Sequence, residues 1–303
     1  MKKKRKNSIP LKSWHIVLSA VLILLIGVSW LFDSLFLSPE NKSEEININP
    51  QPLAVQVSPP DFSMISARSF VVMDFDSGQL IASREKDEKL LPASLTKMIT
   101  SLVVLDNYSL DQKIDILNKY EVGKIMGIKP GTQMSIENLL YGLLVHSAND
   151  AAYAVSYDYD LHHNQTFIEA MNQKASQLGL NDSNFVNFDG EEDEGHYSTA
   201  KDLALLARFF LKDPILSEMI KVEKIIIKDE QGNDYWLEST NELLKEDGFG
   251  GVKTGWTEQA GECFAGLYEQ GGHKLITVVL GSNNRFEDTK LLVNQVMNNF
   301  VWE

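Results

Sequence analysis

Cysteine is almost absent from this sequence, since Cys263 is the only one among 303 residues. A single cysteine excludes an internal disulfide, even in a compartment that would permit one. Histidine and cysteine clusters at metal-ligand spacing are also missing, and the adjacent pair His162-His163 lies in a polar stretch that favours a surface position. We therefore expect no metal site and no bound cofactor.

Positive charge is scarce as well. The chain has 28 Lys and Arg residues against 42 Asp and Glu residues, which gives a formal net charge of −14. Six of the cations lie within residues 1–12, and the rest of the chain has 22 basic against 42 acidic residues, a net charge of −20. Such a surface repels polyanions and excludes nucleic acid as a partner. A ligand with a carboxylate would need a cation placed beside its binding site.

Charged residues are missing altogether from residues 13–32, which are mostly Leu, Ile, Val and Ala. At about 1.5 Å per residue, a helix of this length reaches about 30 Å and matches the hydrocarbon core of a bilayer. The flanking cations all precede it, so the positive-inside rule predicts a cytoplasmic tail at residues 1–12 and an extracytoplasmic remainder. A cleaved signal peptide is the alternative, but no A-x-A-like site follows. We expect an uncleaved, single-pass transmembrane signal anchor over residues 13–37, in the cell membrane.

Proline is concentrated in residues 38–60, which hold five of the nine prolines among Asn, Ser and Glu. This composition predicts an extended linker. About 243 residues remain, numbered 61–303, which is a size suited to one large domain.

The pattern within residues 61–303 places strands at both ends and helices between them. Residues 69–83 alternate around an Asp-Ser-Gly turn and predict a hairpin. A mainly helical stretch follows over about 94–215. The later elements are a second hairpin at 221–237, strands at 251–257, 263–268 and 274–281, and a C-terminal helix at 286–301. We predict the α+β class, with one antiparallel sheet, flanking helices and an inserted helical lobe.

Three short motifs occur in order within this domain. They are Ser94-Leu95-Thr96-Lys97, Ser147-Ala148-Asn149 and Lys253-Thr254-Gly255. Each is weak alone, because S-x-x-K and S-x-N both occur three times, although K-T-G occurs once. Together they describe one site that has a serine nucleophile, proton-transfer partners and a cationic strand able to hold a carboxylate.

The surrounding residues single out Ser94 among the three S-x-x-K copies. Pro92 precedes it and an apolar run follows, which predicts a buried helix that starts near Ser94. Ser94 and Lys97 then lie at i and i+3 on one helical face, and the helix N-terminus suits an oxyanion. The copy at Ser83 lies in a charged run. At the copy at Ser198, Ser198 and Thr199 predict a helix N-cap, and Asp202, three residues after Thr199, resembles the partner in a capping box. Neither of these two copies is expected to carry chemistry.

With the motifs placed, the chain resembles the serine D-alanyl-D-alanine carboxypeptidases, low-molecular-mass penicillin-binding proteins of the β-lactamase-like SxxK acyltransferase family. The resemblance covers most of residues 61–303. Beyond the motifs themselves, it is carried by the segments 73–80, 91–98, 139–152 and 196–204. It implies a DD-peptidase-like fold in which the three motifs converge at the seam between lobe and sheet.

The chain departs from the family pattern in two places. Phe188-Asp189-Gly190-Glu191 stands where relatives often carry His-Gly-Leu or Thr-Gly-Leu. Many relatives also have a C-terminal β-domain followed by an amphipathic anchor, whereas this chain ends about 50 residues after Lys253. We therefore expect no C-terminal β-domain, and we expect the N-terminal segment to act as the anchor.

The resemblance implies catalytic roles for three side chains. Ser94 attacks the carbonyl of the penultimate D-alanine and forms an acyl-enzyme. Lys97 takes the Ser94 proton as a neutral amine, and we expect burial and the nearby Lys253 to lower its pKa. Ser147 relays a proton to the leaving D-alanine. The oxyanion hole is formed by the backbone N–H groups of Ser94 and Trp256.

The resemblance also implies the substrate-binding residues. Asn149 positions the substrate amide, and Lys253 and Thr254 bind the terminal carboxylate. Gly255 lets the substrate approach the strand closely, so that an extended peptide adds to the sheet as a further strand.

The expected function is that of a serine-type D-Ala-D-Ala carboxypeptidase in peptidoglycan biosynthesis, with consequences for cell wall and cell shape. Its substrate is a peptidoglycan stem peptide ending in D-Ala-D-Ala, and β-lactams are covalent inhibitors. Acyl transfer to another amine and an esterase role stay open, because they use the same scaffold.

Two alternatives belong to other classes. A class A β-lactamase needs a glutamate that activates the deacylating water, in an E-x-x-L-N context that does not occur between Ser147 and Lys253. The nearest acids, Asp189, Glu191 and Glu192, lack that context. A membrane-tethered β-lactam sensor or a peptidoglycan-binding pseudoenzyme is the other alternative. The intact motif set argues against a pseudoenzyme, and about a dozen cytoplasmic residues leave a sensor without an effector.

Overall fold

The computed structural model describes residues 52–303. The tail predicted for residues 1–12, the anchor predicted for residues 13–37 and most of the predicted linker lie outside the described residues. Within the described part of the chain, no helix combines the length and the apolar character needed to cross a membrane.

The described residues form one five-stranded sheet and three two-stranded ones. In chain order the strands are β1 Ala54–Gln56, β2 Ser69–Asp74, β3 Leu80–Arg84, β4 Lys113–Asp115, β5 Gln133–Ser135, β6 Lys224–Lys228, β7 Asp234–Glu238, β8 Phe249–Thr257, β9 Gly261–Gln270, β10 His273–Ser282 and β11 Phe300–Trp302. The central sheet has the order β3-β2-β10-β9-β8, and all its neighbouring strands are antiparallel. Both predicted hairpins and the three predicted C-terminal strands are therefore confirmed.

Helices fill the stretch between β3 and β8 and also follow β10. In chain order the α-helices of the described residues are α1 Lys97–Asn107, α2 Ile136–Tyr141, α3 Asn149–His162, α4 Phe167–Gln177, α5 Ala200–Lys212, α6 Pro214–Met219 and α7 Arg285–Asn299. A 3₁₀ turn at Ala93–Thr96 precedes α1, and a π-helical turn at Gly142–His146 follows α2. The predicted α+β class, with helices inserted between the strands of an antiparallel sheet, is confirmed.

The strand β2 is buried along its whole length because helices cover both faces of the sheet. Side chains alternate along a strand. Val71 and Met73 accordingly join the larger apolar core, which contains the helical lobe, while Phe70 and Val72 join a second core that includes Val293 of α7. The C-terminal helix thus packs on the sheet, as predicted, and the lobe that holds the first two motifs covers the other face.

The first described strand differs from the expectation of an extended linker that runs to residue 60. Ala54 and Gln56 pair with Trp302 and Phe300 in an antiparallel ladder between β1 and β11. Ala54 is buried in the second core, because its side chain points towards the sheet and the C-terminal helix. This part of the predicted linker is therefore attached to the domain, and the helix predicted to reach residue 301 ends earlier, where β11 begins.

Candidate active site

The three motifs lie on three separate elements that line one cleft of about 610 Å³. Ser94 is on the 3₁₀ turn before α1, Ser147 and Asn149 lie where the π-helical turn meets α3, and Thr254 and Gly255 lie on β8. Since β8 ends the strand order of the central sheet, the cleft runs along the seam between sheet and helical lobe. The predicted convergence of the motifs at this seam agrees with this arrangement.

The Lys97 amine lies directly beside the Ser94 hydroxyl. Lys97 Nζ donates to Ser94 Oγ at 2.9 Å, to Asn149 Oδ1 at 2.6 Å and to the backbone oxygen of Asp189 at 2.6 Å. Its side chain is fully buried. Burial lowers the pKa of Lys97 to about 8, against the opposing charges of Asp189, Glu191 and Asp150. The dominant cause is burial, as the sequence suggested, and the amine therefore loses its proton at a lower pH than an ordinary lysine does.

The Ser147 hydroxyl is held by the third motif. Lys253 Nζ donates to Ser147 Oγ at 2.8 Å and to the Thr254 backbone oxygen at 3.1 Å. Burial first, and then repulsion by Lys97, lowers the pKa of Lys253 well below its ordinary value. Ser147 has a φ of 62°, a left-handed conformation that ends the π-helical turn and aims its side chain at the cleft. This geometry favours a proton relay between Lys253 and Ser147.

The Asn149 side chain connects the two sides of the cleft. Its Oδ1 accepts from Lys97, while its Nδ2 donates to the Val122 backbone oxygen at 3.1 Å and to Glu191 Oε1 at 2.7 Å. Both amide protons are therefore in use. A substrate carbonyl that binds Asn149, as the sequence predicted, has to replace one of these two acceptors.

The segment that departs from the family pattern packs directly against the 3₁₀ turn at Ala93–Thr96, called the nucleophile turn below because it carries the predicted nucleophile. The Asp189 backbone oxygen accepts from Lys97, and the Phe188 backbone oxygen accepts from Thr100 Oγ1 at 2.7 Å. Gly190 has a φ of 87°, and a Cβ at this position would lie 1.9 Å from the Ala93 backbone oxygen. Ala93 itself has a φ of 48°. The turn that presents the nucleophile thus depends on a glycine in the neighbouring loop.

We expect Gly190→Ala to destabilise the domain and slow acylation, because the added methyl group displaces the nucleophile turn. Gly232→Ala is a matched control, since Gly232 has a φ of 83° and a methyl group added there would have nothing within 4 Å. The backbone conformation costs either variant about 1–2 kcal/mol. The clash should cost Gly190→Ala a further ~1–3 kcal/mol, measured by urea unfolding. Equal losses in the two variants would contradict the steric argument.

Glycine is required on β8 for a related reason. From the sequence, we predict that Gly255 lets the substrate approach the strand closely. In the structure, a Cβ at Gly255 would lie 3.0 Å from Ala93 Cβ, Leu95 Cδ1 and the Ser94 backbone nitrogen. Gly255 therefore lets β8 pack tightly against the nucleophile turn. Trp256, the next residue, has its side chain 63% exposed at the cleft rim.

Arg285 and Glu191 are cleft residues that carry no motif signal in the sequence. Arg285 begins α7, lines the cleft and donates from Nη1 to the Gly255 backbone oxygen at 2.9 Å. Its Nε is buried without a hydrogen-bond partner among residues 52–303. The sequence gives Glu191 no role, because it lacks the E-x-x-L-N context of the class A β-lactamase glutamate. In the structure, however, its carboxylate contacts Asn149. In the same described residues, no group of three or more His, Cys, Asp or Glu side chains is arranged to hold a metal ion.

Comparison with known sequences gives one family and a set of relatives. The family described as D-alanyl-D-alanine carboxypeptidase matches residues 54–284. The D-alanyl-D-alanine carboxypeptidase DacF of Bacillus subtilis is 32% identical over 227 residues, which cover 72% of this chain and 58% of DacF. DacC of Escherichia coli, described by the same words, is 34% identical over 250 residues, which cover 76% of this chain and 60% of DacC. The chain thus spans about three fifths of the length of these curated relatives.

Comparison with solved structures gives the same kind of fold. The crystal structure of the Streptomyces K15 DD-transpeptidase superposes with a TM-score of 0.73 at 28% sequence identity. The match covers 80% of this chain and all of that one. The central antiparallel sheet with its helices is therefore a DD-peptidase fold.

Proposed function

Because the chain belongs to the D-alanyl-D-alanine carboxypeptidase family, we propose that it removes the terminal D-alanine from peptidoglycan stem peptides through an acyl-enzyme on Ser94. One observation carries the proposal. The buried Lys97 amine, with its lowered pKa, lies 2.9 Å from Ser94 Oγ. A serine becomes a nucleophile when a base this close takes its proton.

Acylation follows from the contacts in the cleft. As Ser94 Oγ bonds to the carbonyl carbon of the penultimate D-alanine, its proton passes to the Lys97 amine. The negative oxygen of the tetrahedral intermediate is held by the backbone N–H groups of Ser94 and Trp256. When the peptide C–N bond breaks, the Ser147 hydroxyl donates a proton to the leaving nitrogen, and Lys253 reprotonates Ser147 across 2.8 Å. D-Alanine leaves, and the acyl group remains as an ester on Ser94.

The terminal carboxylate of the substrate is proposed to bind Thr254, Lys253 and Arg285 together. Lys253 already donates to Ser147, so it acts in proton transfer as well as in binding. Arg285 adds a cation next to the backbone of Gly255, at the same end of β8. In a chain whose exported part has a net charge of −20, such local cations offset the repulsion of an anionic substrate.

The test uses the full-length chain in detergent, with a peptide that ends in D-Ala-D-Ala, and measures free D-alanine. Arg285→Gln should lose about tenfold to a hundredfold more rate on this peptide than on its C-terminally amidated form, since a hydrogen bond to a charged group contributes about 1.5–3 kcal/mol. Lys253→Ala is the comparison variant and should lose rate on both peptides. If Arg285→Gln loses the same rate on both peptides, Arg285 does not bind the carboxylate. If the wild type releases no D-alanine, the carboxypeptidase proposal is refuted.

β-Lactams are proposed as covalent inhibitors that acylate the same serine. Their strained amide presents a carbonyl to Ser94 and a carboxylate to the cations of the cleft, so they use the groups that bind the peptide. The rate at which water releases the resulting ester decides whether the protein is inhibited for long or turns the drug over.

We also propose that residues 13–37 anchor the chain in the cell membrane, with residues 1–12 in the cytoplasm and the catalytic domain outside. The proposal is supported by the length of the uncharged run and by the cations that precede it.

In cells, the full chain should fractionate with membranes, and external protease should release a catalytic fragment. Cleavage is expected within residues 38–51, whose composition provides few apolar side chains for packing. Sequencing the N-terminus of the fragment checks the site. Recovery of a free mature protein that begins between Asp33 and Asp61 would instead establish a cleaved signal peptide.

A further inference from the structure

The Glu191 carboxylate lies inside the catalytic cleft and has one oxygen free. Its Oε1 accepts from Asn149 Nδ2 at 2.7 Å, and its side chain lines the same cleft as Ser94. Among residues 52–303, Oε2 has no hydrogen-bond partner. A carboxylate with a free oxygen can accept a proton from water.

Short contacts connect this carboxylate to the nucleophile. Asn149 Oδ1 accepts a hydrogen bond from Lys97 Nζ at 2.6 Å, and Asn149 Nδ2 donates one to Glu191 Oε1 at 2.7 Å. Lys97 in turn donates to Ser94 Oγ at 2.9 Å. The charge of Glu191 also acts on Lys97 and raises its pKa against the effect of burial. The charge of Glu191 thus acts on the amine, with the Asn149 amide lying between the two groups.

The position of the carboxylate is defined by its surroundings. A Cβ at Gly123 would lie 2.1 Å from Glu191 Oε1, so the loop between β4 and β5 closes tightly over the carboxylate. The Glu191 backbone oxygen accepts from Asn187 Nδ2 at 2.9 Å. A base held in place before the reaction needs little reorganisation during it.

Three other carboxylates near the cleft are engaged in structural hydrogen bonds, and Glu258, which also lines it, has no hydrogen bond to a motif side chain among residues 52–303. Asp189 Oδ2 accepts from Tyr120 Oη at 2.8 Å, and Glu192 Oε1 accepts from the Gln259 backbone nitrogen at 2.7 Å. Both oxygens of Asp150 accept from backbone nitrogens, including Gly127 at 2.7 Å. Glu191 alone combines a place in the cleft with a contact to a motif side chain.

We propose that Glu191 is the general base that activates the water which hydrolyses the Ser94 acyl-enzyme. The inference rests on the proposed function, because it concerns the second half of the same reaction. It also supplies, from a different sequence context, the role that a glutamate has in class A β-lactamases.

The step balances without any further reactant. Glu191 takes one proton from water as the water oxygen bonds to the ester carbonyl carbon. When the tetrahedral intermediate collapses, the bond between that carbon and Ser94 Oγ breaks. Lys97, still protonated from acylation, gives its proton to Ser94 Oγ, and the proton held by Glu191 passes to Lys97 through a water molecule in the cleft. The products are the free acid and the original serine and glutamate, and both lysines are restored when the proton that Lys97 took up during acylation returns to Lys253.

The experiment separates acylation from deacylation in the full-length protein in detergent. A fluorescent penicillin labels the protein, excess unlabelled penicillin stops further labelling, and the loss of label is followed with time. Glu191→Gln keeps the shape of the side chain and should slow deacylation about 100-fold or more. Acylation should change by no more than about threefold, and mass spectrometry should show the accumulated acyl-enzyme.

Two controls keep the result specific. Glu192→Gln alters the neighbouring carboxylate of the cleft and should leave deacylation unchanged. Hydroxylamine is a nucleophile that needs no general base, so it should release the label from wild type and Glu191→Gln at the same rate. Unchanged deacylation in Glu191→Gln would overturn the proposal, and so would equal losses in acylation and deacylation, which indicate a positioning role through Asn149. A wild type that penicillin does not label would instead refute the proposed function itself.

Discussion

Ser94→Ala is expected to abolish covalent labelling by a fluorescent penicillin and to stop the release of D-alanine. Ser94 Oγ is the hydroxyl that Lys97 Nζ contacts in the cleft, and no acyl-enzyme forms without it. Labelling is read on a denaturing gel, where only a covalent adduct survives. The variant should fold normally, because the change removes one oxygen from a half-buried side chain.

The two other S-x-x-K serines are the matched controls for this prediction. Ser83 is exposed on β3, beside the charged residues Glu85 and Lys86. Ser198 is buried, and its hydroxyl pairs with that of Ser183 at 2.7 Å. Ser83→Ala and Ser198→Ala should both be labelled like the wild type. Labelling that persists in Ser94→Ala would show that the nucleophile lies elsewhere.

Replacement of Lys97 should slow acylation by about 100-fold to 10,000-fold, which is the range that general bases contribute. Lys97→Arg is the informative variant, because its guanidinium keeps the charge but does not lose a proton. Both Lys97→Met and Lys97→Arg should therefore be slow, and the rate of penicillin labelling under pseudo-first-order conditions measures the loss. A Lys97→Arg variant as fast as wild type would mean that Lys97 contributes only charge.

The wild-type pH profile tests the same role without a substitution. The pKa of Lys97 is lowered to about 8, and only the deprotonated amine accepts the Ser94 proton. Acylation should therefore rise with pH through about 8 and level off above it. The sign is fixed by the role, since a protonated lysine that acted only as a cation would favour low pH. A profile that stays flat through this range would contradict the base assignment.

The local elements were largely predictable from the sequence. The hairpin of β2 and β3 follows from residues that alternate around Asp76-Ser77-Gly78, and the N-cap expected at Thr199 is present, since its side chain accepts from the Asp202 backbone nitrogen. The capping-box partner is different, because the Asp202 carboxylate bonds to Asp182 and Ser183 instead. The N-cap bond joins two residues that are three apart in the chain, so the local sequence predicts it. The Asp202 carboxylate instead bonds to a loop about 20 residues earlier, and only the packing of that loop brings the two together.

The nucleophile turn was also predicted only in part. The sequence predicted a helix that starts near Ser94, and the structure has a 3₁₀ turn there, with α1 beginning at Lys97. The turn is tight because Ala93 adopts a φ of 48° under the packing of Gly190. The spacing of Ser94 and Lys97 nevertheless places their side chains in contact, as the motif predicted.

The class of the fold and the order of the three motifs could be read from the sequence alone, and the same patterns predict Ser94 as the nucleophile and Lys97 as its base. These follow from apolar periodicity and from spacings of a few residues, which act locally. Three contacts became visible only in the folded chain: Glu191 with Asn149, Arg285 with Gly255, and Gly255 of β8 with the nucleophile turn. Such contacts join segments far apart in the chain. Whether these segments meet depends on how the loops pack against the sheet. The burial of a charged group such as Lys97 depends on the same packing. A local sequence pattern specifies neither the packing nor the burial.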